Sequence, residues 1–149
     1  MCALLGLDHG ARRVGIAVSD ETETVAFAVG THTTPGDGSL LERLRRLVAE
    51  RGVRAVVVGL PLEESGREGE VAARARAFAA KIAAALGLPV VLLDERYSSR
   101  EATAFLRAGG RRRRPRGEVD ALAAEIILQQ YLDRSRAARP DADAPEGAP

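Results

Sequence analysis

Short, uninterrupted apolar runs alternate in this chain with segments of helical period, and this alternation constrains the fold more than any other feature. The runs at residues 3–7, 55–58 and 90–93 contain only Ala, Val, Leu and Gly. Runs of this length, bounded by turn residues, are typical of strands buried on both faces of a sheet. Two of them stop at an acid, Asp8 and Asp94. The pattern predicts an α/β fold in which carboxylates follow buried strands.

The order of the predicted elements narrows the topology. Three strands come first, at residues 3–8, 14–18 and 25–29, and their short connections predict an antiparallel meander. Two further strands alternate with helices, which predicts parallel pairing through right-handed crossovers. The last helix is predicted over residues 118–132. A five-stranded mixed sheet of this kind, a three-strand antiparallel meander plus two parallel strands flanked by helices, is the ribonuclease H-like arrangement.

Length and composition favour one domain with a tail. A chain of 149 residues with 46% hydrophobic residues suits one α/β domain with a substantial core. We assign residues 1–136 to that domain. Residues 137–149 are rich in Pro, Asp, Ala and Gly without periodicity, so we predict a disordered tail. Aromatic residues make up only 3% of the chain, which argues against base stacking as the main mode of nucleic-acid recognition.

Charge and cysteine content exclude several classes of protein. The net charge of +1 hides a cluster of five arginines within residues 111–116, a candidate phosphate-binding segment. Cys2 is the only cysteine, so neither a disulfide framework nor a thiolate metal cluster is expected. The apolar runs are too short to span a bilayer, and the N-terminus does not resemble a signal peptide. We therefore predict a cytoplasmic protein without a membrane partner.

Three acids are candidates for one site. Asp8 ends the first predicted strand, Glu95 follows the fifth, and Asp120 lies in the first turn of the last helix. If the two strands run parallel, their carboxyl ends share the edge at which open α/β sheets place their sites. Small residues at Ala123 and Ala124 allow the helix to approach that sheet. Three gathered carboxylates repel each other unless a cation lies among them, and an all-oxygen ligand set suits Mg²⁺ or Mn²⁺.

Four segments together resemble the YqgF/RuvX family of Holliday-junction resolvases or pre-16S rRNA nucleases. They occur in the family's order and span most of the chain apart from the tail. The segments are LDHGARRVGIA at 7–17, VGLPL at 58–62, DERYSSREA at 94–102 and DALAAEIILQQYL at 120–132. Each segment is weakly specific, and the four in register are strongly specific. The resemblance implies a ribonuclease H-like nuclease fold, a cytoplasmic location and a role in maturing the 5′ end of 16S rRNA.

The resemblance also implies Asp8, Glu95 and Asp120 as catalytic acids that bind Mg²⁺ or Mn²⁺. In related resolvases the middle carboxylate comes from the fourth strand, which in this chain carries none. Glu95 is the favoured replacement, and Glu63 or Glu64 in the following loop is the alternative.

Substrate contacts are expected from one glycine and several arginines near these acids. Gly10 would let the backbone approach the substrate. The arginines would bind phosphates. These arginines are Arg12, Arg96, Arg113 and Arg116. Asp94 is favoured as a turn acceptor rather than a ligand, and the sequence leaves a monomer or a weak homodimer open.

Three functions are compatible with this reading. The favoured one is metal-dependent hydrolysis of phosphodiester bonds in structured RNA or in branched DNA, by endo- or exonuclease action. A phosphotransferase or ATPase of the actin-like superfamily would need two lobes, and 149 residues leave room for one. A nucleic-acid-binding module without catalysis is the third, and it would bind in a salt-sensitive way that ignores metal.

Overall fold

The computed structural model describes residues 2–10, 13–33, 37–60, 69–94 and 116–137. Within them lie five strands and three helices. The strands are β1 (Ala3–His9), β2 (Arg13–Ser19), β3 (Ala26–Thr33), β4 (Val53–Leu60) and β5 (Val90–Asp94). The helices are α1 (Asp37–Arg51), α2 (Glu70–Leu86) and α3 (Arg116–Ala137). The sequence also predicts a short helix from Ser98 or Ser99 to about Ala108, and this segment falls outside the described residues.

All five strands form one mixed sheet in the order β3-β2-β1-β4-β5. β2 pairs antiparallel with both β1 and β3, whereas β4 pairs parallel with both β1 and β5. The predicted architecture is therefore confirmed. β1 lies at the centre because its residues are apolar on both faces, and six of its seven residues are buried.

Two layers of helix cover the sheet. One core joins Leu5 and Leu7 of β1 to Leu44 of α1 and Ile82 of α2. The other joins alternate strand residues to α3, whose Leu128 is fully buried. Since successive side chains of a strand face opposite sides, the sheet has an α1/α2 face and an α3 face. No helix in the described ranges is long and apolar enough to cross a membrane.

Within the described residues the element types were predicted correctly, whereas some boundaries and one residue of a helix face were wrong. β3 extends to Thr33, well past the predicted residue 29, because its polar second half still pairs with β2. α3 extends beyond residues 118–132 at both ends. The helical spacing of apolar residues from 71 to 86 predicts Val71 on the buried side of α2, but Val71 is 57% exposed, and the neighbouring Ala72 is buried. The predicted domain boundary between residues 136 and 137 stays a prediction, since the tail from residue 138 lies outside the described residues.

Two glycines end helices as turn chemistry requires. Gly87 follows α2 with φ of 65° and donates its N–H to the carbonyl of Ala83 at 2.9 Å. Gly52 follows α1 with φ of 63°. A side chain is strained in this left-handed region, so glycine is favoured at both positions. The turn at Gly52 leads directly into β4, and the turn at Gly87 leads into β5 after two residues.

Candidate active site

Asp8 is a buried carboxylate at the carboxyl end of the central strand. It is the second-to-last residue of β1 and only 8% exposed. Leu5 and Leu7 belong to the core on the α1/α2 face, and Leu4 belongs to the core on the α3 face. The alternation of side chains therefore directs Asp8 to the α3 face. Burying a carboxylate costs free energy, because the charged group loses its contact with water. A buried carboxylate therefore requires polar or charged groups that offset this cost.

α3 crosses β1 at a close contact. A Cβ built on Gly6 would lie 2.7 Å from the Cβ of Leu128 and 3.2 Å from the carbonyl oxygen of Ala124. The helix can lie this low only because residue 6 has no side chain. The predicted close approach of the last helix is thus confirmed, and both partners contribute to it, with a glycine in the strand and small residues in the helix.

The hydrogen bonds of the Gln129 side chain show in which direction α3 runs across the sheet. The side chain of Gln129 accepts a hydrogen bond from the N–H of Ala26 at 2.9 Å and donates to the carbonyl of Thr24, also at 2.9 Å. Both partners lie beside the amino end of β1, because Ala26 pairs with Ser19, whose hydroxyl binds the N–H of Leu4. From residue 124 onward the helix thus runs toward the amino end of β1. Its N-terminus consequently points to the edge that holds Asp8.

The helical period puts position 120 in line with two buried residues of α3. It precedes Ala124 by one helical turn and Ile127 by two, and both of these residues are fully buried. Four residues correspond to about 6 Å along a helix. Asp8 lies two residues, or about 7 Å, beyond Gly6 along the strand. The two acidic positions therefore extend from the same crossing point in the same direction, although the side chain of Asp120 itself lies outside what the structure describes.

Asp94, the last residue of β5, lies on the opposite face from Asp8. Leu93 packs in the core on the α3 face, so the alternation directs Asp94 to the α1/α2 face. This arrangement supports the preference against Asp94 as a ligand. Glu95 directly follows it in the sequence and lies outside the described residues, as do the alternative acids Glu63 and Glu64.

Two glycines lie beside Asp8 in the neighbouring strands. Gly15 of β2 is its direct partner across the antiparallel pair. On the other side, Gly59 of β4 follows Val58, which is the parallel partner of Leu7. Both glycines belong to the α3 face, and neither carries a side chain. Strand glycines often mark a place where another group must approach closely. Sequence reasoning missed this pair, because only the strand register shows that the two glycines flank one acid.

A scan of family models matches residues 2–134 to RuvX, described as Holliday junction resolvase. The match covers nearly all of the chain. The chain belongs to the RuvX family. Its relatives include a protein of Anaeromyxobacter dehalogenans, named "Putative pre-16S rRNA nuclease", which is 48% identical over 131 residues, 87% of this chain and 96% of the relative. A Chloroflexus aggregans protein of the same name is 43% identical over 134 residues, 89% of this chain and 94% of the relative.

A solved structure shares the fold of this RuvX chain. T. thermophilus RuvC in complex with Holliday junction substrate aligns with a TM-score of 0.57 and 17% identity, over 91% of this chain and 96% of that one. Identity this low supports a conclusion about the fold alone. The predicted ribonuclease H-like fold is thereby confirmed, and the family model and the relatives confirm the predicted family.

Most of the predicted substrate-binding residues of this RuvX protein lie outside the described part. Arg12, Arg96 and Arg113 are in undescribed segments, and Arg116 opens α3 with a side chain that is not described. Gly10 is described, and it donates its N–H to the carbonyl of Arg13 at 2.9 Å in the β1–β2 turn. A Cβ there would lie 2.7 Å from that same oxygen. The turn itself thus requires glycine, whatever the substrate contacts are.

The sequence predicts His9 in a turn with Gly10 and Ala11, whereas the structure places it in a strand. It is the last residue of β1, and its ring stacks on Phe78 of α2 with centroids 4.4 Å apart and an interplanar angle of 24°. Because it follows Asp8 in the strand, it lies on the opposite face. The stack attaches the carboxyl end of β1 to α2, next to Asp8.

Among the described side chains, no three acids, histidines or cysteines lie close enough together to hold a metal ion. Two of the three predicted ligands, Glu95 and Asp120, have side chains outside that set. What the described part contributes is one buried carboxylate, a glycine on each side of it, and a helix whose first turns lead toward it. A hard divalent cation suits this chemistry, since the candidate donors are all oxygens and the adjoining backbone leaves space.

Proposed function

We propose that this RuvX protein is a nuclease that uses Mg²⁺ or Mn²⁺ to hydrolyse phosphodiester bonds, and that its substrate is the 5′ end of pre-16S rRNA. The observation that carries the proposal is Asp8, buried at the carboxyl end of the central strand on the face that α3 covers. Family membership and the names of the relatives support the nuclease class. Ribosome assembly takes place in the cytoplasm, which is where we expect the protein to act.

Three residues would hold the metal. Asp8 would provide the central carboxylate, with Asp120 reaching it from α3 and Glu95 from the end of β5. An extended backbone at Glu95 would direct its carboxylate to the same face as Asp8, because Asp94 belongs to the opposite face. A divalent ion bound there would lower the pKa of a coordinated water and stabilise the leaving oxygen.

Cationic and backbone groups of the chain would position the substrate. Arg12, Arg96, Arg113 and Arg116 would bind phosphates around the scissile bond, and Gly10 would let the backbone of the β1–β2 turn approach the substrate. Gly15 and Gly59 would leave room for the nucleic-acid backbone beside Asp8. Such contacts hold structured RNA in register without reading its sequence, which agrees with a chain poor in aromatic residues.

The decisive experiment compares wild type with Asp8→Asn on an RNA that contains the 5′ precursor region of 16S rRNA, with Mn²⁺ or Mg²⁺ present. We expect the cleavage rate of the variant to fall by more than about a hundredfold. Loss of a residue that only contacts a metal ligand has a smaller effect. Asp133→Asn is the matched control, because Asp133 is an exposed acid farther along α3. Thermal melting verifies that both variants fold. Equal cleavage by wild type and Asp8→Asn would eliminate the mechanism.

The middle ligand requires its own comparison. We expect Glu95→Gln to weaken Mn²⁺ binding, measured by titration calorimetry, whereas Glu63→Gln and Glu64→Gln leave it near wild type. The opposite pattern would move the ligand to the loop after β4.

Branched DNA is the second candidate substrate, favoured by the description of the family model as Holliday junction resolvase. A four-way DNA junction assayed beside the RNA separates the two activities. Metal-independent binding of either substrate that survives Asp8→Asn, without cleavage, would instead identify a binding module.

A further inference from the structure

We propose that the outer edge of β3 is a self-association surface, at which a second copy of this chain pairs its own β3 in antiparallel orientation. β3 lies at one end of the strand order and pairs with β2 alone in the described sheet. The surface consists of the β3 edge together with the exposed side chains of Val25, Phe27 and Val29. It is distinct from the Asp8 site, so the inference does not rest on the proposed function.

Near both ends of β3, backbone groups are hydrogen-bonded to side chains of other elements, whereas the centre of the strand is exposed. At one end the N–H of Ala26 donates to Gln129, and at the other the carbonyl of Thr31 accepts from Arg43 at 3.0 Å. Both groups point away from β2. Because the direction of backbone groups alternates along an antiparallel strand, Ala28 also directs its N–H and C=O outward. Ala28 is exposed, so this pair of groups can bond to another strand.

Side chains around this centre are apolar to an unusual degree. Val25, Phe27 and Val29 are 44%, 53% and 37% exposed, and they are three of the four large exposed hydrophobic residues in the described part of the chain. No residue from position 25 to position 33 is charged or a proline. Edge strands usually carry lysine, proline or inward-pointing charges that prevent pairing with other chains. β3 has a bulge near Val29 but none of these protecting residues.

Charges at the two ends of β3 favour a second copy as the occupant. The turn before β3 is acidic, with Asp20 and Glu21, while a third acid there, Glu23, pairs with Arg54. The far end is basic, with Arg43 of α1 on Thr31 and Arg13 of β2 paired with Thr33. A twofold axis at Ala28 would bring the acidic end of each copy to the basic end of the other. Such isologous pairing needs a surface that is complementary to itself.

The same charges argue against nucleic acid as the occupant. An RNA backbone along β3 would meet apolar side chains at the centre and acids at one end, so only the arginines at the far end would attract phosphate. The surface is small, so we expect a weak and reversible dimer rather than an obligate one.

Sedimentation velocity over about 1 µM to 500 µM tests the proposal, a range that brackets weak interfaces. We expect the wild-type mass to rise from monomer toward dimer. Phe27→Lys places like charges near each other across the axis and should remain monomeric. Ala28→Pro removes the outward N–H and should do the same, which separates strand pairing from mere side-chain contact. Val71→Lys is the matched control, because Val71 is equally exposed but lies on α2.

A wild type that stays monomeric throughout would overturn the proposal. So would a dimer that Phe27→Lys leaves intact, or one that Val71→Lys disrupts equally. If Ala28→Pro fails to fold by thermal melting, Phe27→Lys decides alone. A loss of RNA affinity in Phe27→Lys, with wild type monomeric, would instead assign the surface to nucleic acid.

Discussion

Gly6 and Leu128 are in such close contact that a Cβ on the glycine would lie 2.7 Å from the Cβ of the leucine. Real Cβ atoms do not approach heavy atoms this closely, so any side chain at position 6 must displace the helix or the strand. This contact determines how low α3 lies on the sheet. It thereby also determines how near the first turns of α3 come to Asp8.

We expect Gly6→Ala to destabilise the protein by about 1–3 kcal/mol, the range for overpacked cores. Urea denaturation measures the loss. Gly38→Ala is the control, because nothing lies within 4 Å of a Cβ there and alanine favours the helix. If the contact with the Leu128 Cβ causes the loss, Leu128→Gly, which removes that atom, should destabilise the Gly6→Ala background less than it destabilises wild type. Additive losses in the double variant would refute that cause.

The carboxylate of Asp20 organises the turn between β2 and β3. It accepts hydrogen bonds from the N–H groups of Thr24 at 2.8 Å and Val25 at 2.9 Å, and from the hydroxyl of Thr22. The Thr22 hydroxyl and these backbone groups lower the pKa of Asp20 from 3.8 to about 2. Because the folded pKa is depressed, the stabilisation is present above about pH 4 and is lost as the pH falls through about 2.

Asp20→Ala should therefore lower stability at pH 7 by about 1 kcal/mol, the usual net value of hydrogen bonds in such a turn. The difference in free energy of unfolding between wild type and Asp20→Ala should decrease steadily as the pH falls from 4 to 2. Thermal unfolding at several pH values measures it. A stability difference that stays constant over this pH range would contradict the role of the ionised Asp20 carboxylate.

Arg54 and Glu23 form a two-point ion pair between β4 and the β2–β3 turn. The Nε and a terminal nitrogen of Arg54 donate to the two carboxylate oxygens of Glu23 at 2.7 and 2.5 Å. The hydrogen bond to Glu23 raises the pKa of Arg54, against the opposing effect of burial. Two local irregularities meet here, since Glu23 has φ of 55° and the β1–β4 register shifts between Ala3 and Leu4.

A double-mutant cycle with Arg54→Met and Glu23→Gln should give a coupling of about 0.5–1 kcal/mol, since the side chains are 46% and 25% exposed and solvent weakens the attraction. The coupling should decrease as salt is added, because both charges are partly solvated. Zero coupling at low salt would mean that the pair only accompanies the turn and does not stabilise it.

The arginine cluster before α3 should carry a large share of nucleic-acid affinity. We expect Arg113→Ala and Arg116→Ala each to weaken binding of the precursor RNA and to reduce the slope of log affinity against log salt by about one. Arg45→Ala, an exposed arginine on α1, is the control. Fluorescence anisotropy at several salt concentrations measures both quantities. Unchanged slopes in the cluster variants would exclude these arginines as phosphate contacts.

Much of the architecture was predictable because its signals are local. Apolar runs bounded by turns predicted the strands. Gly52 and Gly87 end their helices through their own positive-φ backbone conformation, so their effect is also local. The same signals predicted Asp8 at the end of a buried strand. They failed where local pattern and structure diverge. The polar second half of β3 pairs with β2 although it lacks the apolar residues of the other strands, and at the start of α2 Ala72 is buried rather than Val71.

The sequence by itself determined which elements form and in what order, because periodicity and turn chemistry operate over a few neighbouring residues. Only the tertiary structure decided which distant residues meet. It brought Gly15 and Gly59 to either side of Asp8, lowered α3 onto Gly6 and left Phe27 in solvent. The physical reason is that strand register and helix packing depend on pairs far apart in the chain, and no local pattern records those pairs.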